Sequence, residues 1–350
     1  MRTGDAPPFH FVLPGAPETP TGGFIYDRHM IAALRRMGRL AGVHVLPGAF
    51  PRPSPSARAA ADRIIAAIPG GATVVVDGLA LTPLAASFAE NAGRFSVIAL
   101  VHHPLGDETG LSPAECSRLR AEETRALALA RGVLVTSAHT AERLAAFDIP
   151  PERIRVARPG TAQAHGGWRR IKNGGELRLL CVATLTPRKG QDVLLRALAC
   201  VRHLDWRLTL AGPARDPAFA RRLRLLARAL GLADRITFAG QVPAARLAGL
   251  YRAADLSVFP SHYEGFGMAA ADAAAHGLPI VATDAGALAE ALGTTSRRLA
   301  PPGDPPALAR ALLPLLTGKT TSLPQSQRRP RLWAEAGREF VAALDALAQR

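Results

Sequence analysis

From one end of this chain to the other, short apolar runs alternate with longer stretches whose apolar residues recur at helical spacing. Strands bounded in this way by helices form parallel sheets with helices on both faces. The strands read at residues 10–14, 43–46, 73–77, 96–102 and 133–136, and again at 178–183, 207–211, 236–239, 256–259 and 280–282. The pattern occurs twice in 350 residues, more than one hydrophobic core usually serves, and so predicts two Rossmann-like α/β domains. In each, ligands bind in a crevice at the carboxyl ends of the strands.

The boundary is legible. Arg158-Pro159-Gly160 closes the first domain, and residues 161–176, with Gly166-Gly167 and Gly174-Gly175, read as a linker poor in apolar residues. Residues 318–331 are polar and proline-bearing, and an amphipathic helix follows over about 332–347. The expected division is 1–163, 164–326, and a final segment 327–350 that returns to the first domain.

A formal charge of +15 and a pI near 11.2 invite a polyanionic partner. The cations are overwhelmingly Arg among abundant Ala, Gly and Pro, so the charge reads first as a composition bias on solvated helix faces. The densest basic runs, Arg221, Arg222, Arg224 and Arg228, then Arg328, Arg329 and Arg331, lack interleaved Tyr or Phe, and only 5% of residues are aromatic. A nucleic-acid partner is therefore not expected. A peripheral contact with a membrane's inner face is compatible with the charge. No apolar run approaches the ~20 residues of a spanning helix, and the N-terminus has no signal-peptide apolar core. Cys116, Cys181 and Cys200 have no metal-ligand spacing, and a cytoplasmic protein is expected.

The most informative segment runs Phe259-Pro260-Ser261-His262-Tyr263-Glu264-Gly265-Phe266-Gly267-Met268, then through Ala-rich sequence holding Asp272, to His276-Gly277-Leu278-Pro279-Ile280. A strand ends at Phe259, and the glycine turn 265–267 leads into a helix that Gly277 stops. Amides freed at a helix start favour anions, and glycine lets a phosphate or sugar approach the main chain. On a helical path Glu264 and Asp272 would lie about two turns apart on a similar face, two acceptors for a polyhydroxyl ligand. Asp272 is a lone charge in a run of Met and Ala, which calls for a partner.

This segment resembles the donor-site signature of the retaining glycosyltransferases of family 4, which have the GT-B fold: a Glu, seven residues and a second Glu, whose place Asp272 takes here. The flanks, Pro260-Ser261 before it and residues 277–282 and Gly286 after it, also fit. The resemblance implies two doubly wound domains facing each other across a cleft, with an acceptor on the first and a nucleotide diphosphate sugar on the second as co-substrate, and no cofactor or metal. Glu264 would contact donor-sugar hydroxyls, Gly265, Phe266, Gly267 and Met268 would offer main-chain groups, and Asp272, here shorter than the family's Glu, would take the ribose.

The loop Thr184-Leu185-Thr186-Pro187-Arg188-Lys189-Gly190 carries two cations at a strand's carboxyl end, suited to the charge growing on a leaving pyrophosphate. It resembles the family's Arg, four residues and Lys-Gly. The Arg position holds Thr184, and Arg188 would supply the missing charge beside Lys189. Gly212 and Val242, in turns after two further strands, are candidates for the nucleotide. In the first half, Gly22 and Gly23 in the loop after the opening strand permit close ligand approach. His102, in Val101-His102-His103-Pro104, matches a family position near the reacting sugar. Ser137 and Pro159-Gly160 read as structural landmarks. The resemblance thus implies a retaining, metal-independent transferase moving a hexose to a hydroxyl of a glycan, glycolipid or small molecule. A GT-B-type nucleotide-sugar epimerase and a non-catalytic nucleotide-sugar binder are the competing readings.

Overall fold

The computed structural model describes residues 7–162, 171, 175–293, 297–320 and 330–349. Met1 to Asp5, the glycines 166, 167 and 174, and Arg328 and Arg329 lie outside the described residues, as do the expected boundaries at 163/164 and 326/327. The chain forms two compact units. One runs to Gly160 and takes back the chain from Trp333, and the other is Thr161–Leu332.

The first unit is a six-stranded parallel sheet in the order β2-β1-β3-β4-β5-β6. Its strands are β1 (Phe9–Leu13), β2 (Leu40–Val45), β3 (Thr73–Asp77), β4 (Ser96–Val101), β5 (Gly132–Val135) and β6 (Ile154–Val156). The second unit holds β7 (Leu177–Val182), β8 (Trp206–Ala211), β9 (Ile236–Gly240), β10 (Leu256–Phe259), β11 (Ile280–Thr283) and β12 (Arg297–Ala300), in the order β12-β11-β10-β7-β8-β9. Counted from its own first strand, that is the dinucleotide-binding order 3-2-1-4-5-6. The order reverses beside β7 in this unit and beside β1 in the other, and those reversals are where open α/β sheets bind ligands.

Burial along β7 shows why the sheet is central. Leu177, Leu179 and Cys181 join the apolar core on one face, whereas Leu180 and half-buried Val182 join the core on the other. Alternate side chains point to opposite faces, so a strand apolar throughout must be covered twice. Sequence reading misses β6 and β12. Both are edge strands of three and four residues, Ile-Arg-Val and Arg-Arg-Leu-Ala, too short and too interrupted by arginine to read as apolar runs.

The C-terminal helix Trp333–Ala348 belongs to the first unit, where it packs on the first helix, Gly22–Arg36. Ala336, Gly337, Phe340, Val341, Leu344 and Leu347 form its buried stripe. A Cβ on Gly337 would stand 2.6 Å from the Ala33 Cβ, so the missing side chain lets the helices approach closely. The fully buried Phe340 ring meets those of Phe11 and Tyr26, at centroid distances of 6.5 and 6.1 Å. Arg39 grips Asp345 with both guanidinium ends, at 3.0 and 2.6 Å. In the second unit the Thr161 amide donates to the Arg331 carbonyl at 2.7 Å, so the unit's first and last segments are paired.

Phe340→Ala should therefore destabilise the chain by about 3–5 kcal/mol, read from the urea midpoint of unfolding. An unchanged midpoint would show that the helix is dispensable to the first unit.

Candidate functional site

In the second unit, β7 and β10 are neighbours at the reversal of strand order, and the loops that leave them are bound together. The His262 amide donates to the Arg188 carbonyl at 2.8 Å, and the Arg188 guanidinium donates to the Tyr263 carbonyl at 3.0 Å. Gly190 makes this contact possible. Its φ is +63°, and a Cβ there would lie 2.0 Å from the Pro260 carbonyl oxygen, so every other residue would push the loops apart.

Held this way, Lys189 Nζ reaches Glu264 Oε1 at 2.6 Å, and Ser261 Oγ donates to the same oxygen at 2.7 Å. Burial alone would raise the Glu264 pKa. The charges of Lys189 and Arg188, with the Lys189 and Ser261 hydrogen bonds, outweigh it and hold the carboxyl below its ordinary range. Glu264 is an ionised acceptor, and among the described residues its Oε2 has no hydrogen-bond donor, which leaves it for a ligand hydroxyl. Four residues on, the helix Met268–Ala275 begins, with Gly267 at its N-cap and no side chain capping its first amides. A buried anionic oxygen and an open anion cradle thus adjoin along one loop.

Glu264 precedes this helix rather than riding on it, so the helical spacing read from the sequence does not relate it to Asp272. Only Asp272 is helical. Its partner is the Ala162 backbone amide, and burial pushes its pKa up to about 7 against that hydrogen bond. Gly265, Phe266, Gly267 and Met268 are half-buried along the connecting turn. Thr184 turns its carbonyl to Gln191 Nε2, at 2.9 Å. Gly212, after β8, donates its amide to the Gly240 carbonyl at 2.8 Å, and Val242, after β9, packs half-buried against the apolar cluster holding Tyr251 and Phe259.

The first unit holds a second cluster at the carboxyl end of its sheet. Gly22 and Gly23 are not loop residues, as the sequence suggests, but the first two residues of the helix after β1. A Cβ on Gly23 would stand 3.2 Å from His102 Cδ2, so that glycine makes room for an imidazole. His102 follows β4. Its Nε2 lies 3.2 Å from Asp27 Oδ1 and 3.6 Å from Asp77 Oδ2, and the Tyr26 ring meets it edge-on at 5.5 Å.

Asp27 is fully buried on the first helix, and Asp77 is buried at the end of β3, where it also caps the short turn of helix that follows. Burial works against charge on His102, but the two carboxylates overcome it and raise its pKa to about 9. Burial and the Asp27 charge push Asp77 up to about 7. These ligand-type atoms lie within 4.8 Å of one another, a spacing that suits one shared cation. A protonated imidazole is already such a cation. His103, the adjacent histidine, instead faces Glu108 at 3.5 Å.

Sequence reasoning passed over Ser261, Asp27 and Asp77. A signal existed for the two aspartates. Asp27 interrupts the apolar stripe of Phe24, Met30, Ile31 and Leu34 at helical spacing, and Asp77 ends the run Val74-Val75-Val76. A charge on a buried face demands a partner.

Comparison with known proteins bears on the fold and on similarity to a family. Residues 176–318 match the family model described as glycosyl transferases group 1. The D-inositol 3-phosphate glycosyltransferase of Thermobispora bispora is 35% identical over 200 residues, 52% of this chain and 46% of that protein, so the chain spans about half the length of the curated relatives it matches. Among solved structures, sucrose-phosphate synthase from Thermosynechococcus elongatus superposes with a TM-score of 0.71 at 21% identity, covering 98% of this chain and 97% of that one. The Anabaena protein HepE, solved with UDP and glucose, gives 0.67 at 16% identity, with 97% of each chain covered. The fold is GT-B.

Because its pKa is depressed, Glu264 stabilises the fold only while it is ionised. Its stabilisation is present above the ordinary carboxylate range and is lost as pH falls through the lowered value. The stability advantage of wild type over Glu264→Gln, from urea unfolding, should therefore shrink between about pH 7 and about pH 3. A gap independent of pH would mean that the Lys189 pair does not hold the charge.

Proposed function

We propose that this GT-B chain, whose residues 176–318 match the glycosyl transferases group 1 model, is a retaining, metal-independent glycosyltransferase. It moves a hexose from a nucleotide diphosphate sugar to an acceptor hydroxyl. The observation that carries this reading is the ionised Glu264, fixed by Lys189 and Ser261 with one oxygen unbonded among the described residues, beside the start of the helix Met268–Ala275, which no side chain caps. Glu264 accepts from donor-sugar hydroxyls. The helix amides take a phosphate, and Asp272 accepts from the ribose. HepE, with UDP and glucose in its solved structure, and the relative named for D-inositol 3-phosphate support a sugar nucleotide as donor and a polyol or its phosphate as one class of acceptor.

In the mechanism the acceptor oxygen attacks the anomeric carbon from the face the nucleotide leaves. The carbon–oxygen bond to the diphosphate breaks, the new glycosidic bond forms, and the acceptor proton passes to a leaving phosphate oxygen. Lys189 and the loop amides stabilise the charge that grows on the diphosphate. Arg188, tied to Tyr263, fixes the loop and adds its field. Loss of Lys189 would remove both a cation for the leaving group and the partner that orients Glu264.

A nucleotide-sugar epimerase of GT-B type is the second reading, favoured by the carboxylates beside His102. Such an enzyme needs a base to activate water, whereas an imidazole whose pKa is raised to about 9 keeps its proton at neutral pH.

One nucleotide class among UDP, GDP and ADP should raise the melting temperature in the presence of a chelator, and Lys189→Ala should remove most of that shift. With the matching sugar nucleotide, the product should keep the donor's anomeric configuration by NMR. An inverted product or a chelator-sensitive reaction would sink the mechanism, and release of an epimerised sugar without transfer would establish the second reading.

A further inference from the structure

We propose that Asp27 and Asp77 are positioning residues that hold His102 as an imidazolium through Nε2, so that its Nδ1–H is presented to an oxygen of the substrate. The assignment rests on the reading of this chain as a sugar transferase in which His102 meets a ligand. It adds what makes His102 a donor rather than a base.

The geometry is a cage. The groups facing the imidazole are Asp27, Tyr26 and Gly23 from the first helix and Asp77 from the end of β3, while Thr136, uncharged and after β5, donates to the His102 carbonyl at 3.4 Å. Both carboxylates approach the same ring nitrogen, at 3.2 and 3.6 Å. A neutral imidazole with a bare Nε2 would set a lone pair against two acidic oxygens, so that nitrogen carries a proton. Among the described residues Nδ1 has no hydrogen-bond partner, and the side chain keeps 17% exposure, enough for a ligand to reach it.

Asp27 is fully buried, and its charge is met by the His102 imidazole and by a side-chain hydrogen bond with the Asp77 carboxyl. Burial and the Asp27 charge raise the Asp77 pKa to about 7, as expected where two carboxyls share one buried site. A cation directed by buried carboxylates, with one N–H facing outward, suits an oxygen bearing negative charge. In a transfer from a nucleotide diphosphate sugar, that is a phosphate oxygen of a substrate or the oxygen on which charge develops.

The test is a histidine side-chain NMR titration of the full chain, with the His102 signal assigned by its absence in His102→Asn, alongside the pH profile of kcat/KM. Wild-type His102 should stay charged up to about pH 9. Asp27→Asn and Asp77→Asn keep size, and the latter keeps a capping side chain. Each should lower the His102 titration by about one unit or more. The alkaline limb of kcat/KM should move down with it, so that each variant is poor at pH 8 and recovers on acidification, while the thermal shift given by the nucleotide stays at its wild-type size. A merely structural role would not be rescued by acid.

A wild-type His102 that titrates at or below about 6.5, the ordinary value, overturns the proposal, as does an alkaline limb unmoved in both variants. If no donor yields transfer in any of the proteins, the transferase reading falls instead, and the His102 titration still decides whether the carboxylates hold its proton.

Discussion

Parallel strand pairing is the constraint from which the rest follows. A parallel strand cannot turn back onto its neighbour, so each must be followed by a crossover that covers a face of the sheet. All strands of a unit then point the same way, and every loop that leaves a strand emerges at one edge. Where the order reverses, beside β7 and beside β1, successive crossovers go to opposite sides and the edge opens. Both charge clusters of this protein stand at that edge of their own unit.

The clusters solve one physical problem in opposite ways. In the second unit a carboxylate is kept charged by cations on the loop of a neighbouring strand, and the carboxyl titrates low. In the first an imidazole is kept charged by carboxylates from a helix and a neighbouring strand, and it titrates high. In each the burial penalty is offset by a partner from a different element. A glycine also stands at each: a Cβ on Gly190 would collide with the Pro260 carbonyl, and one on Gly23 would crowd the His102 ring. Packing of the backbone and placement of charge are thus one design.

Much of this was legible in the chain. Central strands such as β3 and β4 are apolar on both faces and announce themselves as continuous runs, whereas the edge strands β6 and β12 carry arginine and do not. The loop 184–190 and the segment from Phe259 to Asp272 stand out as glycine and charge following a strand. Their partnership does not, because Lys189 and Glu264 are 75 residues apart and meet only when β7 pairs with β10. Local spacing also misled once: Glu264 and Asp272 suggested one helix face, but the turn at Gly265–Gly267 separates them.

The amino-acid sequence by itself determined the two parallel sheets and which strand ends carry loops of glycine and charge, because hydrophobic periodicity and glycine placement are local properties of the chain. Only the tertiary structure decided the state of each charged group. Asp27, Asp77 and His102 lie on three separate elements, and nothing near any one of them in sequence reveals that two carboxylates share one ring nitrogen. A pKa depends on what burial removes and what a partner a few ångströms away restores, and both arise only when distant segments are brought together.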